Sequence, residues 1–163
     1  MGIQKTPIKR NEHIKRLSRE HHFTLLFCWK IRQGLKIGVA IERICRYVKY
    51  FWQYHLSPHM WEEERIFFVP VSDRQVQRAI KEHQNIRQQV KNLENYSINN
   101  VQKRLAELAD MVDEHVRYEE RELFPHLERK LNKEQLEKIG EQIEKHYSSS
   151  LQDQYEDPFW NTK

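Results

Sequence analysis

This chain contains few residues that break or cross-link a polypeptide. Its 163 residues include only four glycines, five prolines and two cysteines, while charged residues make up 32%. Two cysteines without a CxxC motif give no disulfide framework, and they favour the reducing cytoplasm as the compartment. The other proportions are expected of a soluble helical protein with solvated outer faces. A chain of this length forms one domain that can bury a core without cross-links.

Long apolar runs and a strong charge imbalance are also missing. No stretch approaches membrane-spanning length, and residues 1–10 lack the apolar segment of a signal peptide, so no membrane association is expected. The 28 basic and 24 acidic residues leave a net charge of only +4. The aromatic and basic residues at 46–52 follow a helical period with an apolar side. We therefore expect no nucleic-acid partner.

The apolar residues repeat with helical period along most of the chain. They predict four long helices, at about 11–33, 39–68, 73–95 and 100–130, and a short fifth helix at 133–147. Short connections make neighbouring long helices antiparallel, so the predicted fold is an all-α, up-down-up-down four-helix bundle over residues 11–147. Residues 148–163 are expected to form a loose polar tail, with Phe159 and Trp160 as residues that can dock on the bundle.

One motif occurs twice, once in predicted helix 2 and once in predicted helix 4. It is a histidine followed four residues later by a glutamate, as His59 with Glu63 and as His115 with Glu119. Residues i and i+4 of a helix lie on one face, about 6 Å apart. Each pair can therefore grip one metal ion, and two facing pairs can hold two ions.

A Glu-His dipeptide lies in each of the other two long helices, at Glu20-His21 and Glu82-His83. One such histidine alone is more often a hydrogen-bonded core residue than a ligand. Four imidazoles and two carboxylates buried together without metal, however, would leave costly unpaired charge. Because imidazole suits iron, zinc, copper and nickel and a carboxylate can bridge two cations, the set predicts a dinuclear metal site.

Helical phase indicates which candidates point inward. It favours His21 over His22 in helix 1 and Glu119 over Glu120 in helix 4. Helix 2 is less regular, because His59 and Glu63 lie on the flank of the apolar stripe while His55 lies near its centre. Pro58 makes the ideal phase unreliable beyond it, and His55 stays open as an extra ligand. Four further acids are expected at the surface or against the far nitrogen of a ligand histidine: Glu62, Glu64, Glu120 and Glu122.

With these motifs in this order, the chain resembles the hemerythrin-like family, the HHE cation-binding domain. The resemblance covers about residues 17–143, and its most specific part is the block from His115 to Pro125. It implies a four-helix bundle with a non-haem di-iron centre, bridged by two carboxylates and an oxo or hydroxo ligand. Zinc or manganese can replace iron in purified samples. The ligands carried across are His21, His59, Glu63, His83, His115 and Glu119.

The resemblance also implies a function, namely reaction with dioxygen, nitric oxide or peroxide in a sensing or stress-defence role. A redox enzyme that reduces nitric oxide or peroxide or repairs iron-sulfur proteins is an alternative, and reversible oxygen storage is another. Oxygen carriers of the family have a second histidine in helix 3 where this chain has Arg87, and their last carboxylate follows its histidine by five residues rather than four. We therefore expect sensing or redox chemistry. The sequence identifies no protein partner.

Overall fold

The computed structural model describes residues 9–95, 97–146 and 153–162, excluding the side chains at 98 and 99, and within these ranges it contains helices but no strand. Helix α1 spans Lys15–Ile37, α2 spans 41–67, α3 spans Arg74–Asn92, α4 spans 98–130 and α5 spans Lys133–Lys145. A short 3-10 turn, Leu93–Asn95, follows α3. None of the described helices combines the length and apolar character needed to cross a membrane.

The helix ends follow the capping residues of the sequence. Asp73 accepts a hydrogen bond from the Val76 backbone N–H at the start of α3, and Asn132 forms a capping box with Gln135 at the start of α5. Helix α1 begins four residues later than predicted and runs past Gly34 to Gly38, whose φ of 74° ends it. Tyr147, the predicted end of α5, lies outside the described residues.

The long helices form the predicted antiparallel bundle, and a polar layer divides its core into two apolar clusters. Along α1 the chain passes from one cluster, with Leu17, through the buried His21 to the other cluster, with Phe27. Helix α2 passes through the same layers in the opposite order, from Phe51 to Phe67. Helices α3 and α4 repeat this alternation, so every long helix contributes to the polar layer near its middle.

Three turns of α2 and α4 are π-helical, with hydrogen bonds to the carbonyl five residues back. They span Trp52–Leu56, Glu63–Phe67 and Glu119–Leu123. The first and third turns each end two residues before a proline, Pro58 and Pro125. A wider turn leaves room for a residue that has no N–H and would clash with the preceding turn of an α-helix.

Because of the π-helical turn before Pro58, the residues that follow it in helix α2 face a different direction from the one predicted. This turn has one additional residue, which rotates every following side chain back by about 100° relative to an ideal α-helix. His59 and Glu63 therefore move from the flank to the inward face. Glu62, expected at the surface or behind a ligand histidine, is instead buried beside Arg16, from which it accepts a hydrogen bond.

Residues 153–162 pack on helices α1 and α2, contrary to the expectation of a loose tail for this part of the chain. The Phe159 side chain is buried against Gly34, where an added Cβ would lie 2.7 Å from the ring. Lys30 pairs with Asp153 at 2.9 Å and lies 4.1 Å from the centre of the Trp160 ring. The docking that the sequence offered for Phe159 and Trp160 is thus observed.

We predict that Phe159→Ala destabilises the folded protein by about 3 kcal/mol, because it removes a fully buried ring from a close-fitting slot. Urea denaturation followed by circular dichroism measures the change in the free energy of unfolding. Asn161→Ala, at an exposed position in the same segment, is the control and should have no effect. Equal stabilities of the two variants would contradict the packing of the segment against α1.

Candidate metal centre

The polar layer brings all six predicted ligand residues together in two groups. The first group contains His21, His59, Glu63 and Glu119, and in it one ligand atom of each residue lies within 4.8 Å of the others. The second group contains His83 and His115 with the same two glutamates, within the same limit. Glu63 and Glu119 therefore lie between two pairs of histidines, each pair drawn from two helices.

The imidazole Nε2 atoms point at the two shared carboxylates. In the first group, the Nε2 atoms of His21 and His59 are 3.0 Å apart, and His59 Nε2 lies 3.0 Å from Glu63 Oε1. In the second group, His115 Nε2 lies 2.7 Å from Glu119 Oε1 and His83 Nε2 lies 3.6 Å from Glu63 Oε1. Each group is thus a compact set of nitrogen and oxygen atoms that face a common point.

The residues present fit a pair of metal ions. All six side chains are at most 4% exposed. Both carboxylate oxygens of Glu63, both of Glu119 and the Nε2 atoms of His83 and His115 are buried without a hydrogen-bond partner in the described structure. Buried polar atoms are almost always satisfied, and a carboxylate left without donors is costly. Cations between the two groups would supply what these atoms lack.

The other nitrogen of every one of these histidines, Nδ1, lies against a glutamate from a neighbouring helix. The four distances fall between 2.7 and 2.9 Å. The pairs are His59 with Glu20, His83 with Glu64, His115 with Glu82, and His21 with Glu120.

These four hydrogen bonds form a closed ring around the bundle. A glutamate of α1 holds the histidine of α2, one of α2 holds that of α3, one of α3 holds that of α4, and one of α4 holds that of α1. An ionised carboxylate can only accept, so each histidine donates from Nδ1–H. Once a histidine loses its second proton, this arrangement leaves the lone pair of Nε2 directed into the centre, as metal-bound histidines require.

The outer carboxylates are ionised at neutral pH. Burial raises the pKa of Glu120, but the hydrogen bond from His21, the bond from Ser18 and the charge of Arg10 outweigh burial and bring this pKa to about 2. Hydrogen bonds to histidine likewise overcome burial and lower the pKa of Glu20, Glu64 and Glu82. Each member of the ring is therefore a charged acceptor.

Three central histidines hold protons tightly in the metal-free protein. Burial opposes the charge on His59, but Glu63 and the hydrogen bond to Glu20 outweigh it and raise the pKa of His59 to about 10. Glu119 and Glu82 outweigh burial in the same way and raise the pKa of His115 to about 9. Burial also opposes the charge on His21, but the nearby carboxylates of Glu119 and Glu120 outweigh it and raise the pKa of His21 well above its ordinary value. Protons and metal ions therefore compete for this centre.

The remaining candidates lie away from the two groups. His22 is exposed, and His55 stacks on Phe51 at 5.0 Å with its ring centred 5.7 Å from that of Tyr50. Neither belongs to a described group of possible ligands. Glu122 is 60% exposed. Of the four acids expected at the surface or behind a ligand, Glu64 and Glu120 lie against a ligand histidine.

Two tyrosines close to the ligands in sequence, Tyr54 and Tyr118, do not supply a proton donor to the centre. Tyr118 donates its hydroxyl hydrogen to the Gln75 carbonyl at 2.7 Å, and Tyr54 is 54% exposed. His126 lies 2.6 Å from the helix-capping Asp73.

Sequence reasoning missed the roles of Glu20 and Glu82. Both are the first residue of a Glu-His dipeptide, and they were noted only as markers of the histidine that follows. A residue one position before an inward ligand is turned about 100° toward the adjacent helix. That phase difference and the recurrence of the dipeptide could have shown that each glutamate accepts a hydrogen bond from the ligand histidine of the next helix.

The fold and the site together define an all-α cation-binding protein, built as a four-helix bundle with a buried His/Glu centre. The family model of the hemerythrin HHE cation binding domain matches residues 12–127, and the chain belongs to this family. Neither the curated proteins nor the solved structures contain a match to the chain.

We predict that the metal-free protein loses stability as the pH rises from 6.5 to 9. The pKa values of His59 and His115, about 10 and about 9, exceed the 6.5 of an ordinary histidine. A raised pKa stabilises the folded state fully below the unfolded value, and this contribution disappears as the pH rises through the folded value. Metal ions replace the protons, so the loaded protein should not share the loss.

Thermal melts of the chelated and the zinc-loaded protein across this range provide the measurement. The melting temperature of the chelated form should be lower throughout, and the difference should widen by several degrees toward pH 9. Parallel curves would show that the protons and the metal do not compete.

Proposed function

We propose that this protein binds two metal ions, iron in the cell, and that the loaded centre reacts with dioxygen, nitric oxide or peroxide in a sensing or redox role. His21 and His59 would hold one ion, and His83 and His115 the other. Glu63 and Glu119 would bridge the two. The iron pair supplies the capacity to bind or reduce such a molecule.

One observation carries this proposal, namely the four carboxylate oxygens of Glu63 and Glu119 without hydrogen-bond partners in a fully buried layer. A structural role in the core would be served better by apolar residues of the same size, because a buried charge is expensive. Two bridging carboxylates offset part of the charge of two cations, and the cations in turn become the partners that the carboxylate oxygens lack.

The surroundings of the centre restrict what can reach it. The Phe124 ring lies 5.1 Å from that of His21, and the Phe68 ring lies 6.1 Å from that of His83. Both phenylalanines are buried, and apolar clusters close the centre above and below. A diatomic gas or peroxide would need the least movement of these side chains to reach the centre.

The ligand number favours sensing or redox chemistry over oxygen carriage. Arg87, where carriers of the family have a further histidine, is 46% exposed and lies 3.7 Å from Glu64. Its side chain therefore adds no ligand, and six protein residues serve two ions. The cytoplasm remains the proposed compartment, in agreement with two free cysteines.

We expect Glu63→Ala and Glu119→Ala each to lose at least one of two bound ions, because each substitution removes a bridge. Metal content is measured by elemental analysis after anaerobic reconstitution with iron. Glu122→Ala, three residues beyond Glu119 and exposed, is the matched control and should retain both ions. Full occupancy in the two core variants would refute the bridging roles, and much less than two ions in the unaltered protein would refute the dinuclear proposal.

A second prediction concerns reversibility. Exposure of the reduced, iron-loaded protein to dioxygen should oxidise the iron, and removal of the gas should not restore the reduced state. Absorption spectra recorded over repeated cycles, without added reductant, follow the iron. Repeated spontaneous return to the colourless reduced state would instead establish reversible oxygen binding and exclude the redox proposal.

A further inference from the structure

Each glutamate of the hydrogen-bonded ring also meets an arginine. Arg10 lies 2.9 Å from Glu120 and Arg16 lies 2.7 Å from Glu20. Around the second group, Arg78 lies 2.9 Å from Glu82 and Arg87 lies 3.7 Å from Glu64. The centre is therefore surrounded by a third layer of charge, with one arginine behind each histidine.

The two arginines behind the first group have largely buried side chains, which connect distant parts of the chain. Arg10 is 4% exposed, also contacts Glu128, and donates to the Glu120 backbone carbonyl at 2.8 Å. It thereby fixes the segment before α1 to helix α4. Arg16 is 11% exposed and donates to Glu62 of α2 and to the Ile143 carbonyl of α5, at 2.8 and 2.9 Å. Both guanidinium groups are held by several acceptors at once.

The two arginines behind the second group are exposed, and their contacts to the ring are weaker. Arg78 is 56% exposed and pairs with Glu82 one turn further along the same helix. Arg87 is 46% exposed, and its 3.7 Å separation from Glu64 exceeds a hydrogen bond. Exposed ion pairs of this kind contribute little, whereas a guanidinium fixed by several part-buried acceptors keeps its carboxylate in one geometry.

We propose that the two metal positions are unequal, with Arg10 and Arg16 as positioning residues that lock the ion between His21 and His59. The ion between His83 and His115 is the exchangeable one. The inference rests on the proposed binding of two ions. It follows from the burial and connections of the arginines, because a histidine whose support cannot move releases its ion more slowly than one whose support is free to open.

The test uses the full chain loaded with cobalt(II), whose absorption reports each bound ion, and an excess of chelator. Release should occur in two phases of equal amplitude. His83→Ala should retain an ion that leaves at the slow rate, and His21→Ala one that leaves at the fast rate. These two variants assign the phases without any change in the arginines.

The arginine variants then test the cause. Arg10→Ala and Arg16→Ala should accelerate the slow phase about 10-fold or more. Arg87→Ala should change both rates by less than about 3-fold, as expected for a weak exposed pair. Arg16→Lys, which keeps the charge, should restore part of the slow rate. Arg32→Ala is the matched control, since Arg32 also pairs with two carboxylates, Asp110 and Asp113, and should leave both phases unchanged.

The outcomes separate this inference from the proposed function. Binding of two ions that leave at a single rate, or assignment of the slow phase to the His83 and His115 position, would overturn the inference and leave the dinuclear proposal intact. An unchanged slow phase in folded Arg10→Ala and Arg16→Ala would overturn the positioning roles. Failure to bind two ions at all would refute the proposed function itself.

Discussion

The ring of hydrogen bonds between glutamate and histidine is the constraint on which the rest of the structure depends. Each bond joins two adjacent helices, and the fourth closes the circle from α4 back to α1. A rotation of any one helix would break two of these bonds, one at its histidine and one at its glutamate. The ring therefore fixes the phase of all four helices at the level where apolar packing is interrupted, and it directs every Nε2 atom to the centre.

Where an ideal α-helix would not direct the ligand side chains to the centre, the helix contains a π-helical turn. In α2 an ideal helix would present His55 and Glu62 to the core, and the π-helical turn Trp52–Leu56 brings His59 and Glu63 there instead. Further π-helical turns begin at Glu63 and Glu119, the two shared carboxylates. Wide turns of this kind are often found at functional sites, because they trade regular packing for the placement of particular side chains.

The sequence predicted the helices, their antiparallel order and the six central residues, because these depend on local period and on a repeated spacing. It could not predict the phase of α2, because the position of a π-helical turn depends on the contacts that His59 makes with the neighbouring helices. Two partners behind ligand histidines, Glu64 and Glu120, were among the expected acids, because each directly follows a shared glutamate. Glu20 and Glu82 were missed, because each precedes a single histidine and lies in no His-x3-Glu motif. The docking of Phe159 could be predicted only as a possibility, because the contact depends on the space left by Gly34, far away in the sequence.

The layers of charge explain how so polar a centre can be buried in a small bundle. The two shared glutamates and the four of the ring face four arginines, and two of these arginines also pair with Glu62 and Glu128, so the assembly carries an excess of negative charge at neutral histidine. In the metal-free protein this excess attracts protons to the histidines, as the raised pKa values of His21, His59 and His115 show. Two divalent ions would supply the positive charge that the carboxylates lack, and the centre would then no longer need protons on its histidines.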